Sequence, residues 1–438
     1  MTDAVIRKTL FRPAAGLIAL MKTFILSAGT VLPVSSKPLT RASVLVSNGK
    51  IREVGKTSAL LKKHAGVTEI KLGNGILLPG FVNGHTHLEL GWTQAEIGAF
   101  TGFTGWLEQL IISKGAPVLE EKITASVSEG VKSLVSSGVT TVGEISSYGG
   151  LDKPILEKSG LRTVLFREIL DSNEHKTDFN FKPGKGLIEE RPFPHAPYSC
   201  SPRLLRKLFR AHHKNGVPFG IHLAESPDEV EFVKCCANKI EGKIFPLIGK
   251  EFFERPKAES PYGYFSKMGL SEGDRATLIH MVRVEKEEAA EISRLGLGIV
   301  LCPRSNLFLQ VGAPPFAHYS RIERLGIGTD SLSTNYNLDF FEELRAFHLL
   351  LSQTMGDKAA RKSVHAATLG GAGALYLEDK TGSIDPGKEA DLIYIDTPGN
   401  FRDPYLSVIS STSSGLGMVM TAGRVLYKKD GIPLPDSV

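Results

Sequence analysis

The chain has 438 residues, with 52 Lys plus Arg against 47 Asp plus Glu and a formal net charge of +5. So modest a balance argues against a dedicated binder of nucleic acid or of an anionic membrane, and the expected partners are small molecules. A hydrophobic fraction of 42% with a charged fraction of 23% lies in the range of soluble globular proteins, which argues against both a disordered chain and a membrane bundle.

The first twenty residues carry Arg7, Lys8 and Arg12 ahead of a short apolar run, the outline of a targeting sequence. The run is too short to span a bilayer and no small-x-small cleavage site follows it, so residues 1–20 are read as a dispensable extension. From Met21 to about residue 75 the segments FILSAGTVL, SVLVSNGKIREVG and VTEIKL read as strands, with Asn48-Gly49 a hairpin turn. The same texture returns over 381–438 in GSIDPGKEADLIYID and GMVMTAGRVLYKKDG, so both chain ends are expected to meet in one small β-sandwich domain.

Residues 76–380 are different. Short apolar strands alternate there with amphipathic helical segments at 121–135, 202–213, 227–237, 286–295 and 338–352. The strands are GILLPGFVNGH, VTTVGEI, RTVLFREI, RPFPHAP, VPFGIHLAE, ATLIHM, GLGIVLCP and GIGTDS. Eight such units predict an α/β fold, a (β/α)8 TIM barrel, whose reactive groups belong at the C-terminal ends of its strands. The four cysteines, Cys200, Cys235, Cys236 and Cys302, form neither a disulfide framework nor a CxxC site, and a reducing cytoplasm is the expected location.

The strand-end rule sorts the chemistry. His85 and His87 close the first strand at i, i+2 spacing, His195 the fourth, His222 the fifth with Glu225 three residues on, His280 the sixth and Asp330 the eighth. Three imidazoles and a carboxylate converging on a barrel mouth make a good site for a borderline metal with room for water. His64, His175, His212, His213, His318, His348 and His365 fall on helices or loops without partners in register and are read as structural.

In the order PGFVNGHTHLE, HAPYSCSP, HLAESPDEVEF, HMVRV, CPRSN, GIGTDSLSTN and LGGAGALYLEDKTGSIDPGKEADLIYID, the chain resembles the amidohydrolase superfamily, in its cytosine/adenosine-type deaminase and chlorohydrolase branch. The resemblance runs from Met21 to the end. It implies one divalent ion, zinc or ferrous iron, held by His85, His87, His222 and Asp330. Catalysis would fall to Glu225 as proton donor, His280 as the residue orienting the water and Asp330 as its base. Two-metal members carry a bridging carboxylated Lys at the end of strand four, and RPFPHAPYS has none, so a single ion is expected.

Within the branch, HTHLE, FTGWLEQLI, CPRSN and TDSLSTN are most similar to the aminofutalosine deaminases of menaquinone biosynthesis, which convert 6-amino-6-deoxyfutalosine to futalosine and ammonia. Methylthioadenosine and S-adenosylhomocysteine deaminases are the alternative, ahead of guanine deaminases, chlorohydrolases and cyclic amidases. The expected substrate contacts are Glu89 and His195 to ribose or base, Trp106 to an apolar ring, and Arg167, Arg304 and Asn306 to an anionic end. A homo-oligomer is compatible with this reading.

Overall fold

The computed structural model describes residues 23–98, 101–115, 120–176, 179–182, 184, 186–397 and 403–434. The reading of residues 1–20 as a dispensable extension lies outside the described residues.

Four strands open the described chain: β1 (Thr23–Val31), β2 (Leu39–Ser47), β3 (Lys50–Lys56) and β4 (Glu69–Pro79). Asn48 and Gly49 both take positive φ, 50° and 73°, the mirror-image turn that suits the twist of a two-residue hairpin between β2 and β3. Eight strands then alternate with helices: β5 (Phe81–Thr86), β6 (Val139–Ser146), β7 (Arg162–Ile169), β8 (Ile188–Pro194), β9 (Phe219–Leu223), β10 (Ala276–His280), β11 (Gly298–Leu301) and β12 (Leu325–Ile327). Strands β13 (Leu392–Ile395), β14 (Leu416–Thr421) and β15 (Arg424–Lys428) return to the first sheet.

That first sheet has the order β15-β14-β13-β4-β1-β2-β3, parallel only between β1 and β4. It coils so that the β2–β3 hairpin meets the segment leading into β13, with Ile51 N–H donating to the Lys388 carbonyl at 2.9 Å and Ala390 N–H to that of Gly49 at 2.8 Å. Phe24, Leu26, Val44 and Val46 thereby pack against Leu392, Tyr394, Met418 and Met420 in one shared core, as in a sandwich.

The second sheet, β8-β7-β6-β5-β12-β11-β10-β9, is parallel throughout and closes into a barrel, with His222 N–H donating to the His195 carbonyl at 3.0 Å across the last seam. Alternate side chains Val82, Ile145, Val164, Phe166, Phe193, Ile279 and Val300 fill its interior. Thr277, at the start of β10, bonds the Ala374 carbonyl, so the helix Leu369–Ala374 closes the end opposite the histidines. No helix among the described residues is long and apolar enough to cross a membrane.

Two predicted elements differ. The strand expected over 75–85 is divided, its first part finishing β4 in the terminal sheet and its second forming β5 in the barrel. Gly80 is the crossing point, where a Cβ would lie 2.1 Å from Thr140 Oγ1 and only a bare backbone passes. The helix expected over 227–237 spans Pro227–Val233, because Cys235 takes φ 55° and turns the chain away.

Candidate metal and catalytic centre

Backbone irregularity at the strand ends aims the functional side chains. Pairing of β5 with β6 slips between Asn83 and Thr86, an irregularity of the kind that re-aims side chains at a barrel rim. Ala224, His280 and Asp330, each just beyond or at the end of its strand, take positive φ of 56°, 74° and 57°. Such conformations cost about 1–3 kcal/mol each and persist where the surroundings over-determine them. Gly328 lets β12 approach, since a Cβ there would stand 2.8 Å from that of His85.

Four buried groups converge as a result. His222 Nε2 lies 3.3 Å from the Nε2 of both His85 and His87, and Asp330 Oδ1 lies 3.4 and 3.8 Å from the same two nitrogens. A tetrahedral ion with bonds of about 2.0–2.1 Å has edges of about 3.3–3.4 Å, so this donor set fits one. Burial, reinforced by neighbouring imidazoles, pushes His87 and His222 well below the usual histidine range, which leaves them neutral as metal binding requires. Burial acts to raise Asp330, but its hydrogen bond to His85 and the surrounding imidazoles outweigh that and hold it well below the usual carboxylate range. Its second oxygen accepts from Ser305 Oγ at 2.6 Å and Thr334 Oγ1 at 3.0 Å.

Beside this set stand two further groups. His280 shares the grouping with His85 and His222. Its Nδ1 donates to Asn306 Oδ1 at 3.0 Å, and burial brings its pKa to about 4, so the neutral ring presents Nε2 as an acceptor, 3.6 Å from Glu225 Oε1. Burial, then the Asp330 charge, raises Glu225 well above the carboxylate range, making it a neutral acid that has a proton to give. Glu229 holds the loop in place, its two oxygens accepting from Ala224 N–H at 3.0 Å and Glu225 N–H at 2.8 Å.

A cavity open to solvent leads down to these groups. Leu90, Trp106, Leu107, Leu110 and Tyr198 form its apolar walls, while Ser147, Glu168, His195 and Lys114 supply polar lining. Of the substrate contacts expected from sequence, Trp106 and His195 line this cavity, and Asn306 stands behind His280. Glu89 turns one oxygen to the backbone N–H groups of Ser147 and Tyr148, at 2.6 and 2.9 Å, and burial with the Asp152 charge raises it to about 7. Arg304 is tied to Glu342 at 3.0 Å and Asn337 at 3.1 Å, and Arg167 bonds Ser146 at 3.3 Å and faces Glu190 at 3.9 Å. Neither arginine lines the cavity.

Glu168 and Lys114 went unnoticed in the sequence, although both leave a signal there. Val164 and Phe166 face the barrel interior, so the period of two carries Glu168 inward and Arg167 outward. Phe103, Leu107 and Leu110 form one buried stripe of the helix Gly102–Gly115, and Lys114 extends that stripe by one turn.

Barrel, coiled terminal sheet and mouth-sited His/Asp cluster together define a hydrolase of the metal-assisted kind. The amidohydrolase family model matches residues 76–426, and the chain belongs to that family. It is 30% identical over 378 residues to the aminodeoxyfutalosine deaminase of a Nitratiruptor species, covering 83% of this chain and 90% of the relative. It is 27% identical over 432 residues to the 5-methylthioadenosine/S-adenosylhomocysteine deaminase of Moorella thermoacetica, covering 93% of this chain and 95% of the relative. Among solved structures, an adenosine deaminase from Xanthomonas campestris with bound zinc superposes with a TM-score of 0.80 at 24% identity, covering 94% of each chain. The chain is thus an enzyme, a hydrolase acting on carbon–nitrogen bonds other than peptide bonds.

Proposed function

We propose that this enzyme hydrolytically deaminates an adenine nucleoside, with 6-amino-6-deoxyfutalosine as its substrate. The observation that carries the reading is the presence of a neutral, buried Glu225 and an ionised Asp330 together with His280, a donor and an acceptor of protons set at one cavity floor. Environments that drive two carboxyl groups apart in this way are what acid–base work at neutral pH requires.

His85, His87, His222 and Asp330 would hold one divalent ion, zinc or ferrous iron, which when bound brings the pKa of water down towards about 7. The chain's own groups do the rest. His280 Nε2 accepts a hydrogen bond from the attacking water and orients it, and Asp330 takes a proton as the oxygen adds to the amino-bearing ring carbon. Glu225 protonates the adjacent ring nitrogen. Asp330 then returns its proton to the amino group, the carbon–nitrogen bond breaks, and ammonia leaves with the electron pair of that bond. As the carbonyl forms, the hydroxyl proton passes to the Glu225 carboxylate and restores the acid. The ring-nitrogen proton remains on the product, so one water is consumed for each ammonia released and every group of the enzyme returns to its starting state.

Ammonia release from aminodeoxyfutalosine, methylthioadenosine, S-adenosylhomocysteine and adenosine tests the proposal, with the first expected to show the highest kcat/KM. No turnover of any adenine nucleoside by metal-loaded enzyme would overturn it. A second reading, deamination of methylthioadenosine or S-adenosylhomocysteine, is favoured by the coverage of the Moorella relative and replaces the first if either compound is the better substrate.

A further inference from the structure

The cavity has a direction. Its floor carries His87, His222, His280, Glu225 and Asp330, and its walls are apolar side chains of the segment that follows β5 together with Tyr198. Lys114 is the lysine in its lining, half-buried in the last turn of the helix Gly102–Gly115. Its ammonium lies 5.1 Å from the centre of the Tyr148 ring. A cation on the apolar stripe of a helix, facing a cavity and steadied by an aromatic face, is arranged to meet something that enters from solution.

We propose that Lys114 selects substrates bearing a carboxylate at the end remote from the reacting carbon. The inference rests on the nucleoside reading above and names the part of the chain that reads the far end of the molecule. Charge count favours a carboxylate over a phosphate. The carboxyl groups of Glu168 and Asp330 share the cavity with this lysine, and one ammonium there balances a single negative charge better than the nearly two charges of a phosphate monoester. The arginines expected from sequence to do this work are committed elsewhere, Arg304 to Glu342 and Arg167 to Ser146.

The test is the ratio of kcat/KM for aminodeoxyfutalosine, which carries a carboxylate, to that for methylthioadenosine, which is uncharged. Lys114→Gln is expected to lower this ratio about ten- to hundredfold, the size of one charge-assisted hydrogen bond, Lys114→Glu to lower it further and Lys114→Arg to keep it largely intact. In the unaltered enzyme the ratio should fall as ionic strength rises, which supplies a readout independent of how any variant folds. Adenosine 5′-monophosphate serves as the phosphate probe and should be a poorer substrate than methylthioadenosine. A ratio unchanged by both Lys114→Gln and salt overturns the inference while leaving the nucleoside reading in place, and preference for the monophosphate overturns the choice of carboxylate. Failure of the unaltered enzyme on every nucleoside defeats the parent reading and this inference with it.

Discussion

The carbonyl of His195 accepts two hydrogen bonds from His222, one from its backbone N–H at 3.0 Å and one from ring Nδ1 at 2.9 Å. One closes the barrel between β8 and β9. The other fixes the tautomer, because a proton on Nδ1 leaves the lone pair of Nε2 pointing at His85 and His87. Barrel closure and ligand orientation are thus the same contact, which is why a strand-end histidine is so well placed to hold an ion.

Removal of that ligand should be decisive. His222→Ala leaves two imidazoles and one carboxylate in the proposed set, and both metal content and turnover should be lost while the far-ultraviolet circular dichroism of the barrel is retained. Elemental analysis of the unaltered enzyme should find about one zinc or iron per chain. Two ions per chain, or full activity in metal-free protein, would contradict the assignment.

Glu225 separates chemistry from binding. Glu225→Gln keeps the size of the side chain and removes the acid, so the ion should stay while kcat falls by about two to four orders of magnitude. Near-normal turnover in this variant would rule out Glu225 as the proton donor.

The strand-end histidines and Asp330 were legible in the sequence because two regularities acted together: barrel strands end at the mouth, and side chains there converge whatever the intervening loops do. The proposed anion partner, Lys114, was not legible by the same means. Proximity to a strand end pointed to Arg167, yet the pleat turns it outward to Ser146 and Glu190, while Glu168 enters the cavity. Arg304 follows strand β11 directly, but the helix Phe340–Met355 supplies Glu342 and Glu343 beside it, a long-range contact that no local pattern announces. Strand division at Gly80 escaped for a related reason, since GILLP and FVNGH read as one unbroken strand and the crossing at Gly80 is set by its close approach to Thr140, a residue distant in sequence.

A buried ion pair joins barrel to terminal sheet and yields a prediction about stability. Arg162 on β7 donates through Nε and a terminal nitrogen to Asp391 at 2.7 and 3.2 Å, and Asp391 also accepts from Ala422 N–H at 2.7 Å. Arg162→Met should cost about 3–5 kcal/mol, because it strands a buried carboxylate, whereas Arg162→Met with Asp391→Leu should recover a large part of the loss. Thermal unfolding in which the double variant is no more stable than the single one would refute this account.

Glu229 connects stability, pH and catalysis. Burial raises it to about 7 against the pull of the backbone N–H groups it accepts from, whereas in the unfolded chain it returns to its ordinary value of 4.5. Between those values the folded state holds a proton that the unfolded state has released, so this residue makes stability fall as pH rises from 4.5 to 7. Glu229→Gln removes the titration and should flatten that part of the profile of thermal midpoint against pH. It should also lower kcat, because an amide has one acceptor where the N–H groups of Ala224 and Glu225 need two, and the loop that presents Glu225 then loses a bond. A variant whose midpoint keeps the slope of the unaltered enzyme between pH 4.5 and 7 would show that another group carries the titration. Unchanged kcat would show that Glu225 is positioned without Glu229.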